Sequence, residues 1–270
     1  SRLGWTEAGC RSRSSEAEAL AIEQCTGQAS LRSRKLKNIL HSVCIVLALL
    51  LLMAALGWLV AGSLGVKWTL FLSALLLFMS QRVSPQIILR MYRGRPLQSP
   101  YLNQALQELA RRGEVSFVPG LFYIPSQVLN AFSVGWGQSS AIAITDGLLR
   151  GLSRRELVAV LAHELSHLRH GDTRVLALAA MLTQAVVYLA LLAQLAVLVS
   201  LPWLLSAEGP SVGLLPLLLI VFAPTAAILL QLALSRAREY AADLEAVALT
   251  GDPESLGRAL RLLQARNSVW

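Results

Sequence analysis

Glu156–Asp172 reads ELVAVLAHELSHLRHGD, and the chemistry of the chain turns on this stretch. At its centre His163, Glu164 and His167 form an H-E-x-x-H. On a helix, residues four apart share a face, so the two imidazoles can grip one metal ion. Glu164 beside them is placed to polarise a water held by that metal. The helix has its own signals. Ser153 and Glu156 make S-x-x-E, a capping box at the start, and Gly171 stands where the helix should end.

Two histidines do not complete such a site, because a catalytic zinc takes three protein ligands and one open position. His170 lies just past His167, at the fraying end of the helix, and His41 stands far upstream. Glu239 is the stronger candidate. It opens an E-x-x-x-D with Asp243, which puts both carboxylates on one helical face. One could ligate the ion while the other orients a ligand histidine. Glu164, kept off the metal, would accept a proton from the attacking water and pass it to the leaving amine. Arg238 is a candidate oxyanion stabiliser or, equally, a juxtamembrane anchor.

Of the 270 residues, 55% are hydrophobic and only 15% charged, which is too apolar for an ordinary soluble protein. The formal net charge is +8, but the basic residues flank apolar runs. That pattern is topological, with Lys and Arg held on the cytoplasmic side. No nucleic-acid motif accompanies the charge, so no nucleic-acid partner is expected. Cys10, Cys25 and Cys44 include no C-x-x-C and read as unpaired thiols in a reducing compartment. No cleavable signal peptide is expected.

In order, residues 1–37 form a polar and basic tail, mobile and partly helical over Ser15–Gln24, ending in Arg32, Arg34, Lys35 and Lys37. Residues 38–80 predict a transmembrane hairpin. Ile39–Ala61 has the roughly 20 residues that a span requires. A turn at Gly62–Lys67 leads into the shorter Trp68–Met79. Arg82, Arg90, Arg93 and Arg95 follow, placing both ends of the hairpin in the cytoplasm. Residues 81–173 are the metalloprotease part. A helix is expected at Tyr101–Arg112, then strands at Val115–Val118, Leu121–Ile124, Asn130–Val134 and Ala141–Thr145, and a helical turn at Leu148–Leu152. Residues 174–234 hold a second apolar pair, Val175–Leu205 and Val212–Leu234. The loop between them carries Glu208 and no Lys or Arg. A buried hairpin of a soluble enzyme is the alternative, and the lengths favour the membrane. Residues 235–270 return to the basic side and end in an amphipathic helix capped by Asp252, with Pro253 in its first turn.

Taken together, the sequence resembles the HtpX-type membrane zinc metalloproteases, relatives of the CaaX prenyl proteases. Four pieces carry the likeness: Asn130-Ala131-Phe132 with Gly135, the H-E-L-S-H, His170-Gly171-Asp172, and the run Ser235-Arg236-x-Arg238-Glu239-Tyr240-x-Ala242-Asp243. The resemblance implies a mainly α, polytopic membrane protein with four transmembrane helices. Its cytoplasmic, zincin-like metalloprotease domain would carry a small β-sheet. One zinc per chain would be held by His163, His167 and Glu239, with Glu164 catalytic and Asp243 orienting a zinc histidine. Asn130 would bind substrate by strand addition. The implied activity is endopeptidase cleavage of misfolded or damaged membrane proteins and unfolded polypeptides in a stress response. The implied location is the inner membrane, multi-pass, in contact with the lipid bilayer, with the active site facing the cytoplasm. Oligomeric state is left open. Two other classes remain beside this one. A catalytically silent scaffold would have no use for Glu164, and a transporter or channel should carry charges within its spans that these lack.

Overall fold

The computed structural model describes the backbone of residues 7–80, 84–204, 206 and 213–267. Side chains are described from Leu40 onward within these ranges, except at 80, 204, 266 and 267. Expectations resting on Cys10, Cys25, Arg32, Arg34, Lys35, Lys37, Arg82 and Glu208 lie outside the described side chains. The chain divides into two compact units, Ser1–Cys44 and Ile45–Trp270. The described part of the first is helix from Glu7 onward, a longer helix than the expected Ser15–Gln24. The site lies in the second unit.

The opening helix α1, Glu7–Ser80, is not a straight rod. Its geometry breaks at Ala61 (φ −141°, ψ 22°) and Gly62 (φ 59°, ψ −140°). The second combination is open to glycine and costly for any side chain. Beyond the break the chain folds back, and Ser73 Oγ lies 4.0 Å from Met53 Sδ. A continuous helix would hold those residues about 30 Å apart. Gly57 and Gly65 meet across the turn so closely that a Cβ on Gly65 would collide with the Gly57 carbonyl. The expected turn over Gly62–Lys67 thus tightens onto Ala61–Gly62.

Among the described residues, three helices are long and apolar enough to cross a membrane: Leu40–Met79, Asp172–Trp203 and Leu214–Thr250. Four were expected, and the first of these three contains both arms of the hairpin. The other two belong to α6 (Asp172–Leu204) and α7 (Leu214–Thr250). Leu49, Met53 and Leu56 pack with Leu182, Val186 and Ala190 of α6 and with Ile220, Ala223 and Ala227 of α7. Small residues at this seam let the helix backbones approach. Leu195, Leu198, Leu215, Phe222 and Leu229 face outward. Pro224 has no N–H to offer the carbonyl one turn back at Ile220. Gln194 of α6 supplies the missing donor, its Nε2 lying 3.0 Å from that oxygen.

Between the hairpin and α6 comes a small α/β layer. Its helices are α2 (Pro85–Met91), α3 (Pro100–Arg112), α4 (Asp146–Gly151) and α5 (Arg154–His170). Its strands are β1 (Arg95–Pro96), β2 (Gly120–Ile124), β3 (Ala131–Val134) and β4 (Ala141–Thr145). The sheet order is β1-β2-β4-β3, with β2 and β4 parallel and the other pairs antiparallel. β3 is therefore an edge strand. No strand forms at Val115–Val118. Val115 and Phe117 do turn inward against the core, so the alternation that suggested a strand reports burial. β2 is already paired on both sides and leaves that segment no ladder to join. α5 runs through the middle of the layer, with Leu157, Leu161, Leu165 and Leu168 buried against Leu106, Leu109, Ile144 and Leu148. The last helix, α8 (Pro253–Asn267), packs on α5 through Leu256 and Ala259.

Candidate active site

α5 starts where Ser153 predicts. Glu156 Oε2 accepts the Ser153 N–H at 2.8 Å, and Ser153 Oγ accepts the Glu156 N–H at 3.4 Å, completing the capping box. It stops at Gly171, whose φ of 67° is the left-handed turn glycine favours. Between these limits His163, Glu164 and His167 are all buried. They line one cleft of about 390 Å³ together with Asn130, Ser133 and Glu239.

Three ligand atoms converge there. His163 Nε2 and His167 Nε2 are 3.2 Å apart. Glu239 brings Oε2 to 3.3 Å from the first and Oε1 to 3.8 Å from the second. The three residues form a cluster able to hold a metal ion. A tetrahedral ion with bonds of about 2.0–2.1 Å requires ligand atoms about 3.3–3.4 Å apart, so the spacing fits.

The far nitrogens of the two rings decide how they present themselves. His167 Nδ1 faces Asp172 Oδ2 at 3.0 Å, an acceptor. The proton belongs on Nδ1, which leaves the Nε2 lone pair for a metal. His163 Nδ1 lies 2.9 Å from Asp243 Oδ1, close but off the line of a straight hydrogen bond. That carboxylate faces the ring as a charge rather than as a hydrogen-bond acceptor. Behind His167, Arg238 Nη1 donates to Asp172 Oδ1 at 2.8 Å, and both side chains are buried.

The surroundings are negative. Burial lowers the His163 pKa, but Asp243, Glu239 and Glu164 together outweigh it and push it up to about 10. Burial also pushes the Glu164 carboxyl above its ordinary range, against the pull of both histidines and a hydrogen bond from Ser133. Four carboxylates gathered on two imidazoles form a donor set matched to a cation.

Residues 96–266 match peptidase family M48. The chain belongs to that family. An M48 relative named Protease HtpX homolog from Syntrophotalea carbinolica is 40% identical over 233 residues, spanning 86% of this chain and 82% of that protein. The protein of the same name from Aquifex aeolicus is 36% identical over 220 residues, spanning 79% of this chain and 72% of its own. Among solved structures, Ste24p of S. mikatae aligns with a TM-score of 0.49 and 21% identity, over 87% of this chain and 60% of that one.

In this M48 chain the expected ligand residues lie together, and Asp243 stands against His163. The cluster includes neither His41 nor His170. Asn130 lines the cleft at the head of β3. Its carbonyl accepts from Thr145 N at 3.1 Å, so its main chain faces β4. Successive residues of an antiparallel strand turn their main chain to opposite sides. Ala131 and Ser133 therefore direct theirs to the open edge. Arg238, expected as an oxyanion stabiliser, sends Nη1 to Asp172 on the far side of His167 from the ligand cluster. Three residues went unread in the sequence. Asp172, given no role beyond its place in the His170-Gly171-Asp172 piece, is the partner of His167. Ser133 lines the cleft with Glu164 and helps to lower its pKa. Glu245 joins α7 to α5. Only Asp172 left a signal, as an acid directly after the glycine that ends the histidine helix.

Proposed function

We propose that this chain is a zinc-dependent endopeptidase of the membrane. The observation that carries the reading is the meeting of His163, His167 and Glu239 in the same cleft as Glu164 and the open edge of β3. These three residues would hold one zinc, which when bound acidifies a water and polarises the scissile carbonyl. Asp172 keeps the His167 imidazole in the ligating tautomer, and the Asp243 carboxylate lies against His163 Nδ1. Glu164 takes the proton from the attacking water and delivers it to the leaving amine. Its raised pKa suits a group that must first accept and then donate. Ser133 stands beside Glu164 in the cleft. Ala131 and Ser133 bind an extended substrate segment as an added strand, with the Asn130 side chain beside it. Strand addition requires an unfolded segment, so the substrates are misfolded or damaged membrane proteins and unfolded polypeptides, cut as part of quality control under stress.

The two hairpin arms, α6 and the apolar part of α7 make four spans in a bacterial inner membrane. Arg90, Arg93 and Arg95 next to the hairpin support a cytoplasmic site. The test is made on purified full-length chain in detergent. Bound zinc should be about one per chain, and an unfolded membrane-protein substrate should be cut. Glu164→Gln should keep the zinc and lose about 10²–10⁴-fold in rate. Absence of zinc, or cleavage undiminished by the substitution, would overturn the reading.

A further inference from the structure

Glu245 is largely buried on α7, and catalysis as described does not use it. Its Oε2 accepts from Ser166 Oγ at 2.8 Å and lies 3.0 Å from His170 Nδ1, while Oε1 pairs with Arg169 Nη1. All three partners belong to α5 and lie within one turn of His167. Ser166 is fully buried, so its hydroxyl depends on this carboxylate. His170 Nδ1 also lies 3.0 Å from the Ser166 carbonyl. Both neighbours are acceptors, so that nitrogen carries the proton, donates to the Ser166 carbonyl and lies within ion-pair distance of Glu245.

We propose that Glu245 is a positioning residue for the metal centre, setting the register of α7 against α5 so that Glu239 meets the two histidines. The proposal rests on the zinc reading above. α5 and α7 come from distant parts of the sequence, and no short loop fixes their relation. Among the described residues, the middle of the α7 face toward α5 is small: Ala242 and Ala246 are buried there and present only methyl groups, with Leu249 one turn beyond Ala246. Methyl surfaces permit close approach but resist sliding weakly.

Glu239 attaches α7 at the metal site, and Asp243 meets the same His163, so both contacts converge on one residue of α5 and α7 could still shift or roll about them. Glu245 lies six residues further on, about 9 Å along the axis, and supplies a second point. A slip of one residue is a 1.5 Å rise with a turn of about 100°. Metal–ligand distances tolerate only about 0.2 Å. The far pin is therefore what makes the near contact accurate.

The experiment measures zinc affinity of the full chain in detergent by competition with a chromophoric chelator, alongside thermal unfolding of the zinc-free form. Glu245→Ala is expected to weaken zinc binding by about tenfold or more. Glu245→Gln keeps an acceptor for Ser166 and should recover part of the loss. Leu249→Ala is the control. It opens a cavity in the core one turn further along α7 and should lower the unfolding temperature without the loss of affinity. Equal zinc affinity in Glu245→Ala and wild type would overturn the proposal. So would a loss no larger than that of Leu249→Ala at matched destabilisation. A wild-type chain that takes up no zinc would instead overturn the metal reading, and this proposal with it. If Glu245→Ala does not fold, Arg169→Met and Glu245→Gln carry the same comparison.

Discussion

Asp172 holds His167. Its Oδ2 lies 3.0 Å from His167 Nδ1, and Arg238 Nη1 grips the other carboxylate oxygen at 2.8 Å. The imidazole is thus fixed in tautomer and angle by a buried ion pair. Asp172→Asn keeps the shape but makes that side chain a weaker acceptor, and one able to donate. Zinc affinity is expected to fall about 10–100-fold, measured by chelator competition, with the fold retained.

Removing the cation instead leaves Asp172 as a buried carboxylate without its partner. Breaking such a pair on one side costs about 3–5 kcal/mol. Arg238→Met should therefore lower stability far more than Arg236→Met, which serves as the surface comparison. Thermal unfolding in detergent measures the difference.

Pro224 and Gln194 form a coupled pair across α6 and α7. Gln194→Leu leaves the Ile220 carbonyl without its donor, and hydrogen bonds between membrane helices are worth about 0.6–1.7 kcal/mol. Adding Pro224→Ala to that variant restores an N–H within α7 itself. The double variant should recover most of the stability, and a double-mutant cycle of unfolding free energies tests it. Additive losses would show that the two residues act separately.

The outward main chain of Ala131 makes the edge of β3 testable. Ala131→Pro deletes an N–H that the sheet does not use, at a position where an edge strand tolerates proline. Zinc content should stay at the wild-type level while kcat/KM falls about tenfold, the value of one lost hydrogen bond of about 1.4 kcal/mol. Phe132→Pro, which strikes the inward ladder, should instead destabilise the domain.

Asp252 caps α8, accepting Ser255 N at 3.0 Å and Ser255 Oγ at 2.6 Å. These hydrogen bonds hold its pKa below the ordinary aspartate value of 3.8. A depressed folded-state pKa means the stabilisation is fully present above the unfolded value. It is lost as pH falls through the lower folded one. Amide exchange in the first turn of α8 should therefore stay slow at pH 5 and quicken below the normal carboxylate range. Asp252→Asn should show no such step.

What the sequence disclosed was whatever lay within one helix or one turn. The capping box at Ser153, the four-residue step from His163 to His167 and the stop at Gly171 are local rules, and each is present in the fold. The apolar runs were equally plain, since their signal is composition. Glu239 became a candidate because Asp243 stood four residues on and the apolar runs return its segment to the basic side, and the resemblance implied it as the third ligand. Contacts set by packing left no such trace. The distance from Asp172 to His167 depends on how α6 leaves Gly171, and no periodicity encodes that angle. Glu245 reads as one more solvated acid on a helix. Val115 and Phe117 alternate as a strand would, yet whether a strand forms depends on a vacant edge elsewhere in the sheet.

Gly171 is all that separates α5 from α6. His167 stands on one side of this joint and its orienting carboxylate on the other. A loop would behave as a tether on which a catalytic head could swing. A single residue between two helices behaves as a rigid mount. The apolar bundle is then part of the bench on which the catalytic centre is aligned, and a soluble fragment cut at Gly171 would lose the optics along with the support.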